Sequence, residues 1–479
     1  LSPSEARLAG TINENGQLQV HGITSTFHQP SMVNHSETSI ADSGARQNAS
    51  NEVIMDQLIS NAAIQRQREA ALVMHPNPAS NIQLDGVPPE LAFHLLDLHW
   101  NRQHLSFLLS YRPAIMESLT NNGPHANKLL LNAIYYSSSL HSDRTSLMAE
   151  AGNPQTLGLN FYNRFKQLLP DYIDQLSIPT AVGLLLCRAS LVSHGKQSAG
   201  WVLCGTAYRM IIDLGCHFCM ESKEQMSSSK AGAIDFEIRK RVYWGAFMTD
   251  TFQSLYLGRP PTLRLDEARV PMEYFDTYEE LEEWKPYVDS DPGMLNLPSM
   301  GPYYARPACA VSTAQALMKL AQIISQIVEA FYSIGSIKYQ PGDLWRTKSN
   351  IEARLSEWRK ELPSHLHFSP GTDQTPPPHQ ITIHTTFWTT TILLERPFLQ
   401  SGHLHFASDP DSHDMSEMRR SSYEHLAASR SIQSGFYPPP RSISDIICRI
   451  FRCSYHPSAD PRRAFKALRL YSVFLVCTS

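Results

Sequence analysis

The sequence predicts an all-α protein, in which a disordered N-terminal segment precedes one large multi-helix domain. From about residue 87, long apolar segments recur at helical spacing and are separated by short polar or Gly/Pro-containing breaks. Between residues 87 and 258 there is no convincing alternating strand pattern and no two-residue hairpin signal. With 479 residues and 42% hydrophobic content, the chain can bury one large core or two ordinary ones.

Residues 1–86 are expected to be a disordered polar region, because they are rich in Ser, Asn, Gln and His and poor in aromatic residues. One stretch, Asn51–Val73, could form an amphipathic helix through Val53, Leu58 and Ala62. It is interpreted as a transient helix in a linker rather than a dimerisation seam, since a coiled coil requires several heptads.

The helical domain is placed at residues 87–400. Pro88 and Pro89 mark the first helix start, because proline is favoured in the first helical turn. Ser198 is predicted to cap one helix and Gly215 to end it with a left-handed residue. Including this helix, four segments each predict one helix: 128–140, 161–176, 178–192 and 198–215.

The second half of this domain begins with an acidic, proline-rich stretch at 270–307, which predicts a partly irregular connection. Two amphipathic helices are expected next, one over 311–334 and one that starts at a capping Asp343. Residues 381–399 are β-branched, but their length and neighbours favour a buried helix over a strand.

The stretch Glu237–Leu263 combines a charge cluster with an apolar run that has no polar stripe, which is typical of a buried helix. Glu237, Arg239, Lys240 and Arg241 are expected in its first turn, within reach of water, rather than as a nucleic-acid patch.

The same helix carries Asp250, whose buried charge needs a partner, and Arg209 or Arg259 is predicted. Gly258 should end the helix, and Arg259-Pro260-Pro261 should force an extended exit.

Motifs of catalysis and metal binding are sparse. Cys216 and Cys219 form a lone C-x-x-C without the further ligands that a structural zinc site requires. Histidines in Pro/Ser/Asp-rich segments are interpreted as solvated loop residues: His365, His367, His403, His405 and His413. No phosphate-binding or nucleophile motif is present, so neither a catalytic residue nor a cofactor is assigned.

Charge, cysteine content and hydropathy argue against other classes of protein. Basic and acidic residues number 41 and 45, so the net charge of −4 does not favour binding of nucleic acid through the overall field. The eight cysteines lack a regular spacing and are interpreted as reduced thiols. No run approaches the ~20 apolar residues needed to span a bilayer, so no membrane partner is expected.

Four segments together resemble the middle homology region of fungal transcription factors, an all-helical domain that usually follows a binuclear zinc cluster of six cysteines. They are Leu95–Ile115, Lys128–Leu140, Gly200–His217 with its Trp and Gly-x-Ala-x-Arg-Met pattern, and Glu237–Leu263 with E-x-R-K-R-V-Y-W and L-G-R-P. Coverage runs from about Pro88 to Leu399. Among such regulators, the arrangement is most similar to those of nitrate assimilation and xylan degradation.

The resemblance implies a regulatory and interaction domain of a nuclear transcription factor that controls RNA polymerase II transcription. It also implies DNA as a partner through a zinc-dependent module, homodimerisation, and co-regulators or a small-molecule effector. Nine residues follow as candidates for the structural or regulatory core: Trp201, Arg209, Asp213, Arg241, Trp244, Asp250, Gly258, Arg259 and Pro260.

Two features depart from the family. The six-cysteine pattern does not occur in this sequence. Either an N-terminal part that carries the zinc cluster precedes Leu1, or the chain is a regulator without its own DNA-binding module. Zinc is expected only in such a preceding part. Residues 401–479 match the family poorly and are expected to be loop-rich. Between Met415 and Arg469 the chain has ten basic and four acidic residues, a net +6. This tail is interpreted either as an altered reading frame or retained intron, or as a phosphate-contacting arm.

The alternative is a cytosolic helical enzyme or small-molecule binder with a pocket between helices. Such a site would require polar residues that converge in one pocket with perturbed pKa values. Arg209, Asp213 and Asp250 are the candidates that the sequence offers for it.

Overall fold

A computed structural model describes residues 9–12, 18–21, 43–74, 82–218, 230–287, 304–335, 340–369, 373–398 and 404. Helices dominate these residues, which confirms the predicted all-α class. The chain divides into two compact units. Unit 1 comprises residues 1–100, 108–246 and 262–278, and unit 2 comprises residues 101–107, 247–261 and 279–479.

Unit 1 contains all or part of eight α-helices among the described residues. They are α1 (Ser43–Met74), α2 (Pro89–Leu98), α4 (Arg112–Asn121), α5 (Lys128–Ser139), α6 (Leu159–Ile173), α7 (Ile178–Ser193), α8 (Gln197–Asp213) and the first part of α9 (Lys230–Leu257). Helix α5 packs on α6 and α7, and α7 packs on α6 and α8. Helix α2 packs on α5. Short antiparallel strands β1 (Ala9–Ile12) and β2 (Leu18–His21) precede them.

Helix α1 is part of the packed structure, which corrects the expectation of a transient helix. Leu58 and Ala62 are each 1% exposed, whereas Val53 on the expected apolar face is exposed. The helix packs on α4, where Glu69 accepts two hydrogen bonds from Arg112 at 3.0 and 2.8 Å. Packing in unit 1 therefore begins well before the predicted boundary at residue 87.

Unit 2 is built on α3 (His104–Phe107), the last part of α9, α11 (Ala310–Ile327), α12 (Pro341–Glu361) and α13 (Pro378–Glu395). The short helix α10 (Tyr278–Leu281) and an antiparallel pair, β3 (Glu283–Trp284) with β4 (Arg306–Pro307), interrupt the connection predicted as irregular. Helix α11 packs on α12, α13 and α3, so it forms the centre of this unit.

Several element predictions are confirmed. Residues 381–399, β-branched but predicted helical, fall largely in α13, which is buried along most of its length. Gly215 and Gly258 have φ values of +71° and +63°, as expected for residues that end helices.

Two capping predictions are wrong. Helix α8 begins after Lys196 without a side-chain cap, so Ser198 lies within the helix. Helix α12 begins at Pro341, which places Asp343 in its first turn rather than at its cap. In both cases the helix starts earlier than the polar residue that the sequence suggested.

Among the described helices, none has the length and apolar character needed to cross a membrane. Apart from Leu404, the tail of residues 401–479 lies outside the described residues, so the structure does not test its two interpretations.

Candidate functional site

The charge cluster of α9 lies inside unit 1. Glu237, Lys240 and Arg241, called the α9 cluster below, have fully buried side chains. The expectation that water reaches them is wrong, because α9 begins at Lys230 and places them two turns inside the helix. Arg239, on another face, remains partly exposed and donates to Asp235 and to the Leu214 carbonyl at the end of α8.

Glu237 is the negative centre of the α9 cluster. Its Oε2 lies 3.0 Å from Lys240 Nζ, and its Oε1 accepts from Arg241 Nε at 3.0 Å. The backbone N–H groups of Phe275 and Asp276 also donate to this carboxylate, at 3.0 and 3.4 Å. One carboxylate therefore pairs with two cations of its own helix and holds the 262–278 segment against α9.

The two cations of the cluster bind the same segment. Lys240 donates to the Glu273 carbonyl at 2.6 Å, and its Nζ lies 3.7 Å from the centroid of the Phe275 ring. Arg241 donates to the Asp276 carbonyl at 2.9 Å.

Arg241 also lies over two aromatic rings, those of Tyr111 and Tyr274, at 5.0 and 4.9 Å from their centroids. Buried charges require such pairing, because removal from water is costly unless hydrogen bonds and opposite charge compensate it.

Titration behaviour follows from these contacts. Burial alone would raise the pKa of Glu237, but Lys240, Arg241 and the Phe275 N–H outweigh it, so the pKa lies below its ordinary value of 4.5. Burial, together with the negative charge of Asp276, raises the pKa of Tyr111 well above 10. The Tyr111 hydroxyl donates to Asp276 at 2.7 Å. Glu237 is therefore ionised and Tyr111 is neutral at physiological pH.

Trp244, a predicted core residue, lies one turn further along α9. It is 4% exposed and its indole N–H donates to the Pro271 carbonyl at 2.9 Å, a second attachment of the 262–278 segment. Next to it, Gly245 faces the backbone of Leu109, and a Cβ added at Gly245 would lie 2.9 Å from Leu109 Cα. The glycine is required for this close approach.

The predicted residues on α8 lie in more exposed places. Trp201 and Asp213 are half-buried, and Arg209 is exposed. The expected pairing of Arg209 with Asp250 stays a prediction. Of the three predicted core residues on α8, Trp201 and Asp213 lie in positions that fit a core role.

The remaining candidates belong to unit 2. Asp250 is fully buried and Ser254 Oγ lies 3.4 Å from its Oδ1. Gly258 and Pro260 are exposed, and Arg259 is half-buried with its N–H bonded to the Ser254 carbonyl at 3.0 Å. Pairing between Asp250 and Arg259 remains a prediction.

Unit 1 also has a small, partly open cavity of about 20 Å³. Apolar side chains line it, with polar contributions from Tyr111 and His125. Ligand pockets usually measure roughly 300–1,000 Å³ and carry several convergent polar groups. Because the Tyr111 hydroxyl is already bonded to Asp276, this cavity gives little support to the small-molecule alternative.

The described cysteines are free thiols. Cys187, Cys204 and Cys216 are buried, and Cys309 is half-buried. Burial raises the pKa of Cys216 to about 11, as it does that of Cys309. Cys219, its C-x-x-C neighbour, lies outside the described residues. These four thiols do not assemble the six-cysteine cluster of the resembled family, so they do not fit the zinc ions that such a cluster holds.

A family comparison decides the identity. The family model described as "Fungal specific transcription factor domain" matches residues 96–360, more than half of the chain and parts of both units. The chain belongs to this family.

Curated relatives of this fungal transcription factor domain are regulators of transcription. The Nitrogen assimilation transcription factors nit-4 of Neurospora crassa and nirA of Emericella nidulans are each 26% identical over 65% of the chain. The Activatory protein CHA4 of Saccharomyces cerevisiae is 27% identical over 44% of the chain. The solved structures contain no significant match.

The matched part of the chain covers only about a third of each relative's length, namely 28%, 34% and 32%. The expected similarity to regulators of nitrate assimilation agrees with the first two names, and none of these three names concerns xylan. Within the matched residues lie the α9 cluster and all nine predicted core residues. Their regulatory role is not tested by the match.

Proposed function

We propose that this chain is the regulatory domain of a nuclear transcription factor that controls RNA polymerase II transcription. The observation that carries this function is the family match over residues 96–360. In this account, DNA is bound through a zinc-dependent module in a segment outside the present sequence. The helical units receive an effector or a co-regulator, homodimerise where required, and have no catalytic role.

The buried α9 cluster supports a regulatory rather than a DNA-contacting role for the E-x-R-K-R run. Lys240 and Arg241 are fully buried and paired with Glu237, so they are not available to phosphates. The two buried basic residues of this run, Lys240 and Arg241, therefore serve the packing of unit 1. DNA affinity is assigned to the separate module, and the domain of this chain modulates the response.

Deletion in the full-length gene tests this function in the organism that encodes it. One strain lacks residues 87–399 and a control strain lacks residues 401–479, the predicted basic tail. Chromatin occupancy and target transcripts are measured with and without the inducing condition. We expect the first deletion to retain occupancy but lose the conditional change in transcripts. Normal regulation in that strain would contradict the proposal.

A further inference from the structure

Three metal-ligating side chains from separate segments of unit 2 converge on one point. Glu280 Oε, Cys309 Sγ and His365 Nε2 lie within 4.8 Å of one another. Glu280 is half-buried, Cys309 is half-buried and His365 is exposed. From the sequence, His365 is interpreted as a solvated loop residue and Cys309 is not singled out. Only tertiary folding brings the three side chains together.

Local structure fixes each of these residues. Glu280 is held by Ser312, whose backbone N–H donates to Oε2 at 2.9 Å and whose hydroxyl donates to Oε1 at 2.5 Å. The Cys309 N–H donates to the Glu280 carbonyl at 3.0 Å, which ties the thiol-bearing residue to α10. His365 Nε2 lies 3.0 Å from Ser312 Oγ and 3.5 Å from Glu280 Oε1.

The donor set fits a specific class of ion. A thiolate, an imidazole and a carboxylate are the ligands of Zn²⁺, with bond lengths of roughly 2.3, 2.0 and 2.0 Å. In a tetrahedral site, such bonds place the nitrogen and oxygen about 3.3 Å apart. The observed separation between His365 Nε2 and Glu280 Oε1, 3.5 Å, is close to this value. Three protein ligands leave a fourth position for water or another donor.

We propose that Glu280, Cys309 and His365 form a binding site for a divalent transition-metal ion, with Zn²⁺ the best match to the donors. Coordination forms a metal–sulfur bond and releases the Cys309 thiol proton to solvent. The Ser312 hydroxyl gives up its bond to Glu280 Oε1, while the Ser312 N–H keeps Oε2 in place. The ion links α10, the start of α11 and the Ser364–Leu366 turn. This site does not depend on the proposed DNA-linked function.

Cobalt titration of the purified chain, stripped of metal with a chelator, tests the site. Co²⁺ bound to a thiolate gives a charge-transfer absorption band, and added Zn²⁺ should abolish it by competition. We expect one equivalent of Co²⁺ to produce this band. Absence of the band in the unaltered chain overturns the proposal.

Variants locate the ion. His365→Ala and Cys309→Ser should each weaken Co²⁺ binding by more than about tenfold, since loss of even an outer-shell contact costs that much. Because His365 is exposed, its replacement leaves the fold intact and decides the outcome if Cys309→Ser is unstable.

Two control variants are matched to these. His367→Ala changes an exposed histidine two residues away, and Cys219→Ser changes the C-x-x-C thiol. Both should bind Co²⁺ within twofold of the unaltered chain. A band that persists in His365→Ala and Cys309→Ser, or is lost in Cys219→Ser instead, overturns the proposal.

Discussion

Glu237 and Arg241 form an ion pair of 3.0 Å in which neither side chain is exposed to solvent. Four residues apart on α9, they face the same side of the helix and share the backbone of the 262–278 segment as a further partner. This relationship explains how a charge-dense sequence can lie within a core. It also means that the position of the segment between Thr262 and Tyr278 depends on one carboxylate, that of Glu237.

Removal of that carboxylate should destabilise unit 1 strongly. Glu237→Gln leaves Lys240 and Arg241 buried without a counter-charge, and such a loss typically costs about 3–5 kcal/mol. Chemical denaturation of the purified chain measures it. Asp266→Asn is the control, because it breaks an exposed pair with Arg264 and should leave the free energy of unfolding unchanged. Equal stability of the two variants would refute the buried-charge account.

Gly245 and Gly205 should respond in opposite directions to the same substitution. Gly245→Ala places a Cβ 2.9 Å from Leu109 Cα, so it should cost about 1–3 kcal/mol of stability. Gly205 lies within α8 with no atom within 4 Å of an added Cβ, so Gly205→Ala should gain up to about 1 kcal/mol. Thermal denaturation of both variants checks this contrast, and a stabilising Gly245→Ala would contradict the close approach.

The buried His379 is expected to make the stability of unit 2 sensitive to acid. Burial, and to a lesser degree His104, lowers the pKa of His379 to about 4, while its Nε2 donates to the Ala308 carbonyl. Below the unfolded value of 6.5, the unfolded chain binds a proton that the folded chain does not, so stability falls as the pH drops from 6.5 to 4. The expected loss is about 3 kcal/mol.

Denaturation at several pH values measures this slope. His379→Gln should remove its contribution between pH 4 and 6.5, whereas His367→Gln, at an exposed position, should leave it unchanged. An identical slope in the unaltered chain and in His379→Gln would show that His379 is not the responsible group.

Helical periodicity was enough to predict most elements, because a helix that packs on one face repeats its apolar residues visibly in the sequence. The buried stripe of α12, with Ile351, Leu355 and Trp358, is an example. The fully apolar character of the later part of α9 likewise predicted burial correctly.

Tertiary contacts explain what the sequence could not show. Glu237, Lys240 and Arg241 resemble a solvated helix start, since their partners lie about 35 residues further on and no local pattern indicates them. The convergence of Glu280, Cys309 and His365 depends on three distant segments in the same way. For α1, the sequence indicated the apolar positions Leu58 and Ala62, but it did not indicate that α4 packs against the helix.

A double-mutant cycle on Glu237 and Arg241 tests the central claim most directly, with Glu237→Gln, Arg241→Met and the double variant compared by denaturation of the purified chain. Groups in direct contact within one network couple by about 0.5–3 kcal/mol, and a buried pair should lie at the upper end. We predict that the double variant is more stable than the sum of the single losses implies, by about 2 kcal/mol. Additive losses would mean that the two charges do not depend on each other, and the buried-pair account of α9 would be wrong.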